Sequence, residues 1–196
     1  MTVAGLVLAA GSGSRLGQPK ALVEIAGVRL VDRAVRVLRD GGCDPVVVVS
    51  GAAPFDVAGA SVVANPAWAT GMGSSLRVGL AVLAGGTARA AVISLVDQPG
   101  IPAAVVSRLL AAHADGAIVA TATYGGKRRN PVLLDRATWA EVSRLAEGDQ
   151  GARPYLAAHP DQITGVECDD LGDAADIDTP EDLARARGGA DGAAGC

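Results

Sequence analysis

A glycine-rich stretch near the N-terminus constrains this chain more than any other feature. It follows an apolar run, Val3 to Leu8, that predicts a buried β-strand. The stretch reads Leu8-Ala9-Ala10-Gly11-Ser12-Gly13-Ser14-Arg15-Leu16-Gly17-Gln18-Pro19-Lys20. Its glycines let backbone N–H groups approach an anion, Arg15 can donate twice to phosphate oxygens, and Lys20 adds a point charge. A strand leading into such a loop predicts a nucleotide site at the edge of an open α/β sheet.

The spacing within this loop excludes two common nucleotide-binding motifs. A P-loop needs Gly-Lys followed by Ser or Thr, but Lys20 follows Pro19. The dinucleotide fingerprint G-x-G-x-x-G needs a third glycine where this chain has Leu16, and Gly17 comes one residue late. The loop therefore indicates a different class of nucleotide-binding protein.

The stretch resembles the signature loop of nucleotidyltransferases, L-A-A-G-x-G-x-R-x-G-x-P-K. A second segment, Asn65 to Leu76, resembles N-x-x-W-x-x-G-M-x-x-S-L, a hallmark of molybdenum cofactor cytidylyltransferases and close relatives. The resemblance to this MobA-like NTP transferase family extends from Val3 to Leu183. It implies an α/β fold, a Rossmann-like three-layer α/β/α sandwich with a mostly parallel sheet, as in nucleotide-diphospho-sugar transferases. We expect one NTP transferase domain over residues 1–187 and a disordered tail over residues 188–196.

The composition limits the surroundings and partners of the chain. A net charge of −4 and a pI near 5.1 argue against a nucleic-acid partner. No apolar run reaches the roughly eighteen residues of a membrane span, and no signal peptide is evident. The three cysteines lack metal-ligand spacing, which favours reduced thiols and a cytoplasmic location.

Apolar runs and helical periodicity predict alternating strands and helices after the loop, which suits a doubly wound sheet. An apolar stripe from Leu30 to Leu38 predicts a helix that stops at Gly41-Gly42. Another helix is expected to follow a cap at Gly73 or Ser74. A third helix is expected over residues 136–147. The predicted later strands are residues 46–49, 61–64, 90–96, 117–123, 132–134 and 162–168.

Asp97 follows the predicted strand over residues 90–96, where a carboxylate points into the ligand crevice. Mg²⁺ needs one or two carboxylates besides phosphate oxygens. The alternative is an ordinary cap for a helix with Pro102 at its first position. By resemblance, Asp97 is a Mg²⁺ ligand and an Asp from the D-I-D-T-P-E-D-L segment approaches the same ion. We predict Asp178 for that second role, with Asp176 behind it, although Thr179 or Asp178 can also cap the last helix.

The resemblance also implies a nucleotide site. In this family Leu-Ala-Ala-Gly accompanies cytidine enzymes, whereas guanylyltransferases tend to carry a second glycine where Ala10 stands. CTP is therefore the predicted nucleotide. The residues predicted to contact it are Leu8, Ala9, Ala10, Gly11, Gly13, Lys20, Ser50, Gly51, Asn65, Gly71 and Ser75.

A basic loop over residues 124–131 is the candidate acceptor site. The family has G-x-x-G-H-P here, whereas this chain has Arg129-Asn130-Pro131, so the histidine is replaced. Its positive charge can attract an anionic acceptor, although a solvated hairpin tip explains the same residues. The predicted acceptor contacts are Lys127, Arg129, Asn130 and Pro131.

The implied reaction is transfer of CMP from CTP to a phosphorylated acceptor, the molybdopterin cofactor, with release of pyrophosphate. Arg15, Lys20 and Asp97 are the predicted catalytic residues, Mg²⁺ is the predicted cofactor, and a molybdoenzyme or its chaperone is a predicted partner. Four alternatives stay open: another acceptor such as a sugar or polyol phosphate, GTP-dependent molybdopterin guanylyl transfer, a NAD-dependent oxidoreductase, and a nucleotide-binding module without turnover. The glycine spacing disfavours the oxidoreductase, and intact Lys20, Asp97 and Asp178 disfavour the module.

Overall fold

A computed structural model of the protein describes the backbone of residues 2–193 and the side chains up to residue 188. The strands are β1 (Val3–Leu8), β2 (Glu24–Ile25), β3 (Val28–Arg29), β4 (Val46–Ser50), β5 (Ser61–Ala64), β6 (Ala90–Leu95), β7 (Val119–Tyr124), β8 (Lys127–Asp135) and β9 (Ile163–Glu167). The α-helices are α1 (Leu30–Asp40), α2 (Met72–Ala84), α3 (Ala103–Ala114), α4 (Trp139–Leu145), α5 (Arg153–Ala158) and α6 (Pro180–Ala193).

A seven-stranded sheet in the order β5-β4-β1-β6-β8-β7-β9 forms the centre of the molecule. Neighbouring strands are parallel except where β8 pairs with β6 and β7. Gly125 and Gly126 explain that exception. Their φ values of 55° and 71° form the two-residue turn that joins antiparallel strands. The predicted mostly parallel sheet is confirmed.

Helices cover both faces of the sheet and complete three layers. One core contains the inner sides of α1, α3 and α6, and the other contains those of α2, α4 and α5. The strands are nearly continuous apolar runs because both of their faces are buried. In β1, Val7 belongs to the first core and Leu6 to the second. The predicted stripe of α1 is also confirmed, since Leu30 and Leu38 are both buried.

Several predicted boundaries were wrong. Helix α2 begins at Met72, with Gly71 as its N-cap, rather than after Gly73 or Ser74. The helix expected over residues 136–147 consists of one 3₁₀ turn followed by the α-helix over residues 139–145. The β2–β3 hairpin was not predicted, because two-residue strands are too short to show a periodicity.

The C-terminal segment also differs from its prediction. Helix α6 extends from Pro180 to Ala193, so residues 188–193 of the expected disordered tail are helical. Residues 194–196 lie outside the described part of the chain. Among the described helices, none is long and apolar enough to cross a membrane.

Candidate active site at the carboxyl edge of the sheet

The glycine-rich loop follows β1, where the strand order changes direction between β4 and β6. Gly13 adopts a left-handed conformation with φ of 62°, and its carbonyl accepts the Leu16 N–H at 2.8 Å. A Cβ atom at Gly13 would overlap the Gln18 carbonyl, whereas one at Gly11 would meet nothing within 4 Å. Gly13 is therefore needed for the shape of the loop. Gly11 leaves open space beside the backbone, as close approach of a phosphate requires.

Lys20 lies between two carboxylates that are far apart in the sequence. Its Nζ donates to Asp97 Oδ2 at 2.6 Å and to Asp178 Oδ1 at 2.5 Å. The side chains of Lys20 and Asp97 are each 17% exposed, and that of Asp178 is 45% exposed. Burial alone would lower the pKa of Lys20, but Asp97 and Asp178 outweigh it and raise that pKa above its ordinary value. The site therefore keeps a compact cation against two anions.

Local structure explains how the two carboxylates reach the same place. Asp97 follows β6 at the carboxyl edge of the sheet, and its carbonyl accepts the Ile177 N–H at 2.9 Å. The start of α6 is capped by Thr179 and Asp182, whose side chains each accept from the other's backbone N–H. Because Thr179 provides the cap, Asp178 remains free to contact Lys20.

Asp176 does not contact Lys20. Its Oδ1 accepts from Gln98 Nε2 at 2.8 Å. Burial raises the pKa of Asp176, and the hydrogen bond from Gln98 opposes that rise. Between the two acidic residues of this segment, the geometry therefore places Asp178 at the site, whereas Asp176 contacts Gln98 and does not line the cavity.

The carboxylate pair fits a divalent metal ion. The second oxygen of Asp97, Oδ1, is buried and has no hydrogen-bond partner among the described residues. Two carboxylates with a spare buried oxygen match the few protein ligands that Mg²⁺ takes when phosphate oxygens supply the rest. The described residues contain no group of three or more His, Cys, Asp or Glu side chains able to hold a metal by themselves. Any ion here would therefore depend on a bound phosphate for part of its coordination.

A cavity of about 770 Å³ opens over the loop and these charged groups. It is lined by many of the residues that the sequence predicted for binding or catalysis: Leu8, Ala10, Gly11, Gly13, Arg15, Lys20, Gly71, Ser75, Asp97 and Asp178. This volume falls within the usual range for a small-molecule site, roughly 300–1,000 Å³. One edge of the sheet thus brings the predicted residues together, while their individual roles remain predictions.

Ala9, Ser50, Gly51 and Asn65 do not line the cavity, although the sequence predicted nucleotide contacts for all of them. Asn65 is 2% exposed, and its amide donates to the hydroxyls of Ser74 and Ser75 at 2.8 and 3.0 Å. Asn65 is therefore bonded to Ser74 and Ser75 at the start of α2, and a direct nucleotide contact of Asn65 remains a prediction.

Gly51 and Ser50 support the cavity from behind. A Cβ atom at Gly51 would lie 2.5 Å from the Trp68 Cβ and 2.7 Å from the Ala10 Cβ. Gly51 therefore allows the segment of Trp68 to pack against the loop. Ser50 is buried, with its hydroxyl 3.5 Å from the Val63 carbonyl, and Ala9 is buried in the core. Ala9, Ser50 and Gly51 therefore pack behind residues that line the cavity and do not line it themselves.

Sequence reasoning missed two charged residues of the cavity, Asp149 and Arg153. Asp149 Oδ1 accepts from the Met72 N–H at the start of α2, at 3.3 Å. The approach is close because Gly71 has φ of 112° and a Cβ atom there would overlap Gly148. Arg153, the first residue of α5, is exposed. Residues 148–153 resemble the G-D-x-G-A-R pattern of the family, which was the available signal, but a pattern alone does not show that α5 faces β1.

The predicted acceptor residues lie at the same edge of the sheet but outside the cavity wall. Lys127 and Arg129 are exposed at the start of β8, and the following Pro131 is buried. Val132 pairs with Ile93 near the end of β6, so the start of β8 is close to the segment of Asp97. The four predicted residues Lys127, Arg129, Asn130 and Pro131 are absent from the lining of the cavity. A direct acceptor contact remains a prediction for them.

A mostly parallel sheet with an anion-binding loop, a lysine and two carboxylates at its carboxyl edge defines a Rossmann-like α/β protein with a site suited to nucleotides. Sequence comparison is more specific. The chain belongs to the MobA-like NTP transferase domain family, whose profile matches residues 5–163. It is therefore a nucleotidyltransferase of the MobA-like family.

Three similar proteins show the range of this resemblance. Nicotine blue oxidoreductase of Paenarthrobacter nicotinovorans is 36% identical, with 93% of this chain and 95% of that protein covered. Molybdenum cofactor guanylyltransferase of Rhodobacter capsulatus is 31% identical, with 95% of both covered. The crystal structure of the Mycobacterium tuberculosis Rv0371c homolog from Mycobacterium sp. strain JC1 superposes with a TM-score of 0.79 at 27% identity, covering 95% and 96% of the chains.

Proposed function

We propose that this protein transfers CMP from CTP to a phosphorylated acceptor, the molybdopterin cofactor, and releases pyrophosphate. The observation that carries the proposal is the cluster of Lys20, Asp97 and Asp178 beside a glycine loop with open space at Gly11. Such a site can neutralise and orient phosphates, and the reaction requires no nucleophilic side chain. A phosphorylated acceptor supplies the attacking oxygen, so positioning and charge neutralisation suffice for the reaction.

In the proposed reaction, an acceptor phosphate oxygen forms a bond to the α-phosphorus of CTP. The bond between that phosphorus and the oxygen bridging to the β-phosphate breaks, and pyrophosphate leaves with the bonding electrons. The backbone of the loop around Gly11 binds the triphosphate, while Arg15 and Lys20 neutralise charge on the α-phosphate and the leaving group. Asp97 and Asp178 would hold Mg²⁺, which supplies further charge neutralisation when bound.

The preference for CTP rests on Ala10. Its methyl group lies in the cavity wall and packs where Gly51 and Trp68 leave no room for a further carbon atom. A Cβ at Gly51 would lie 2.7 Å from the Ala10 Cβ, so Ala10 packs closely against Gly51. In this proposal, the Ala10 side chain reduces the space available to a purine. The guanylyltransferase name of the Rhodobacter capsulatus relative makes GTP the competing nucleotide.

The acceptor is proposed from the same relative, whose name specifies the molybdenum cofactor. Arg153 supports an anionic acceptor because it adds a guanidinium to the lining of the cavity. The exposed Lys127 and Arg129 extend the positive charge at that edge. A molybdoenzyme or its chaperone is the proposed recipient of the product.

Pyrophosphate release with each of the four NTPs, with and without molybdopterin, tests this function directly. We expect release with CTP, Mg²⁺ and the cofactor together. Ala10→Gly should then narrow the preference for CTP over GTP, and Ala9→Gly is the matched control because Ala9 is buried away from the cavity. Pyrophosphate release with GTP and none with CTP, both in the presence of the cofactor, would overturn the assignment of the nucleotide. Release with CTP only when another phosphorylated compound replaces molybdopterin would overturn the assignment of the acceptor.

An oxidoreductase is the second candidate, because a relative with that name is 36% identical over 93% of this chain. The loop argues against it, since Leu16 replaces the third glycine of the dinucleotide fingerprint. Titration of the protein with NADH and NADPH, followed by their fluorescence, separates the two candidates. Saturable binding of a nicotinamide cofactor that CTP does not displace would favour the oxidoreductase.

A further inference from the structure

Gln98 lies outside the cavity, yet it connects the two chain segments that carry the carboxylates. The residue is 8% exposed. Its Nε2 donates to Asp176 Oδ1 at 2.8 Å and lies 3.4 Å from the Ala174 carbonyl. The adjacent backbone makes a second connection, from the Ile177 N–H to the Asp97 carbonyl at 2.9 Å. Residues 174–177 are therefore held against residues 97–98 by one side chain and one backbone bond.

Groups on both sides define the orientation of the Gln98 amide. A carboxylate accepts hydrogen bonds, so the amide nitrogen must face Asp176. The amide oxygen is buried without a partner among the described residues, and so is Nε of Arg33. Gln98 and Arg33 border the same small cavity of about 10 Å³. Because Arg33 can only donate, the environment favours the oxygen on that side and the nitrogen toward Asp176.

We propose that Gln98 is a positioning residue that fixes the separation of Asp97 and Asp178. The proposal rests on the function proposed above, in which these carboxylates hold the metal ion. Asp178 lies in an irregular segment between β9 and α6, and its side chain is 45% exposed. Its backbone N–H donates to Asp182 Oδ2 at 3.1 Å, and the preceding chain is anchored through residues 174–177. Gln98 supplies a part-buried side-chain contact among the contacts that anchor this segment.

A purely structural role for Gln98 predicts a different outcome from a positioning role. If the side chain only fills space, Gln98→Met should behave as wild type, because Met has a similar length and volume. If the donor is what matters, Gln98→Met should lose metal affinity while the protein keeps its fold. Gln98→Glu should lose more, because it places a second carboxylate against Asp176.

The test is a Mn²⁺ titration of the full-length protein with α,β-methylene-CTP, followed by water proton relaxation. We expect Gln98→Met to weaken Mn²⁺ binding by about tenfold or more, as is typical for groups that orient metal ligands. Binding of the nucleotide analogue without metal should change by less than about twofold, since Gln98 does not line the cavity. Gln162→Met, which removes an amide bonded to the Tyr155 hydroxyl at 2.8 Å, should leave Mn²⁺ binding unchanged.

A second pair of variants covers the case in which Gln98→Met does not fold. Asp176→Ala removes the acceptor and should weaken Mn²⁺ binding as Gln98→Met does, whereas Asp176→Asn keeps an acceptor oxygen and should bind as wild type. Where the double variant folds, Gln98→Met with Asp176→Ala should be no worse than Asp176→Ala alone. Wild-type affinity in both Gln98→Met and Asp176→Ala would overturn the inference.

The same Mn²⁺ titration distinguishes failure of the proposed function from failure of the positioning role. If the wild-type protein does not bind Mn²⁺, or if Asp97→Asn binds it equally well, the assignment of the metal site is wrong. The positioning role proposed for Gln98 is then wrong as well. If wild type binds Mn²⁺ and Asp97→Asn does not, the metal site stands. Unchanged binding in the Gln98 and Asp176 variants would then overturn the positioning role alone.

Discussion

The Lys20 ammonium lies 2.5 Å from the Asp178 carboxylate, although 158 residues separate them in the chain. Asp97 contacts the same ammonium at 2.6 Å. One cation thus neutralises both carboxylates that a divalent ion would use. Because the ammonium and a metal ion would compete for the same two carboxylates, we expect Lys20 to turn toward a bound phosphate when both carboxylates hold a metal. Under the proposed function, this relationship would couple nucleotide binding to metal binding.

Lys20→Met should therefore separate metal binding from activity. Removing the ammonium frees two carboxylates, so Mn²⁺ should bind the variant more tightly than wild type when no nucleotide is present. CTP-dependent pyrophosphate release should fall by about 10²–10³-fold, because charge on the reacting phosphates is no longer neutralised.

Lys127→Met is the matched control, because Lys127 is the only other lysine of the chain and lies in the exposed hairpin. Mn²⁺ binding without nucleotide should be unchanged in this variant. Mn²⁺ affinity that is equal in wild type and Lys20→Met would contradict the competition between the ammonium and the metal.

Two glycines of the loop should respond differently to alanine. Gly11→Ala adds a methyl group that meets nothing within 4 Å, so the free energy of unfolding in urea should change little. Nucleotide binding should nevertheless weaken, because the methyl occupies the space a phosphate needs. Gly13→Ala should destabilise the protein by about 1–3 kcal/mol, since φ is 62° and the Cβ would overlap the Gln18 carbonyl. Normal CTP binding by a folded Gly11→Ala protein would contradict this assignment of the loop.

Arg153→Ala should weaken binding of the acceptor more than binding of CTP. Arg153 lines the cavity from the start of α5 rather than from the glycine loop. A lost hydrogen bond to an anion should raise the KM of the acceptor by about tenfold or more. The measurement is steady-state pyrophosphate release with each substrate varied in turn. Arg144→Ala, on exposed α4 surface beside Glu141, is the control and should have normal KM values. An increase confined to the KM of CTP would assign Arg153 to the nucleotide instead.

Cys43 should be inert in the folded protein. Burial raises the pKa of its thiol to about 12, so almost no thiolate forms near neutral pH. In a Cys196→Ser background, a thiol reagent at pH 8 should label Cys43 and Cys168 only after denaturation, because both are buried. Fast labelling of the native protein would contradict the burial of these thiols.

The raised pKa of Cys43 also gives a stability prediction with a definite sign. The folded state holds the proton more tightly than the unfolded state, so the contribution of Cys43 is fully present below its ordinary pKa of 9.0. It is lost as the pH rises from there toward about 12. Urea unfolding of the Cys196→Ser protein and of the same protein with Cys43→Ala should converge over this range. A constant difference would contradict the shift.

Much of the fold could be predicted from local patterns. The helical stripe of α1 follows a 3.6-residue period, and the buried run of β1 is apolar on both faces, so each indicates its element without reference to the rest of the chain. Gly125 and Gly126 are likewise a local signal for the antiparallel strand β8. The β2–β3 hairpin could not be predicted from local patterns because its strands are too short. The start of α2 could not be predicted because it depends on Gly71 packing against Gly148.

The sequence alone determined the loop after β1, the acidic residue after β6 and the family, because these depend on residue types at fixed spacing. Only the tertiary structure decided which side chains share the cavity. Asn65 matches the family pattern, but its amide hydrogen bonds to Ser74 and does not line the cavity. Arg153 lines the cavity because of the way α5 packs. The contact of Lys20 with Asp178 likewise exists only after β1, β6 and α6 have assembled. Spacing along a chain specifies local geometry, whereas the direction of a side chain into a shared site depends on contacts between distant elements.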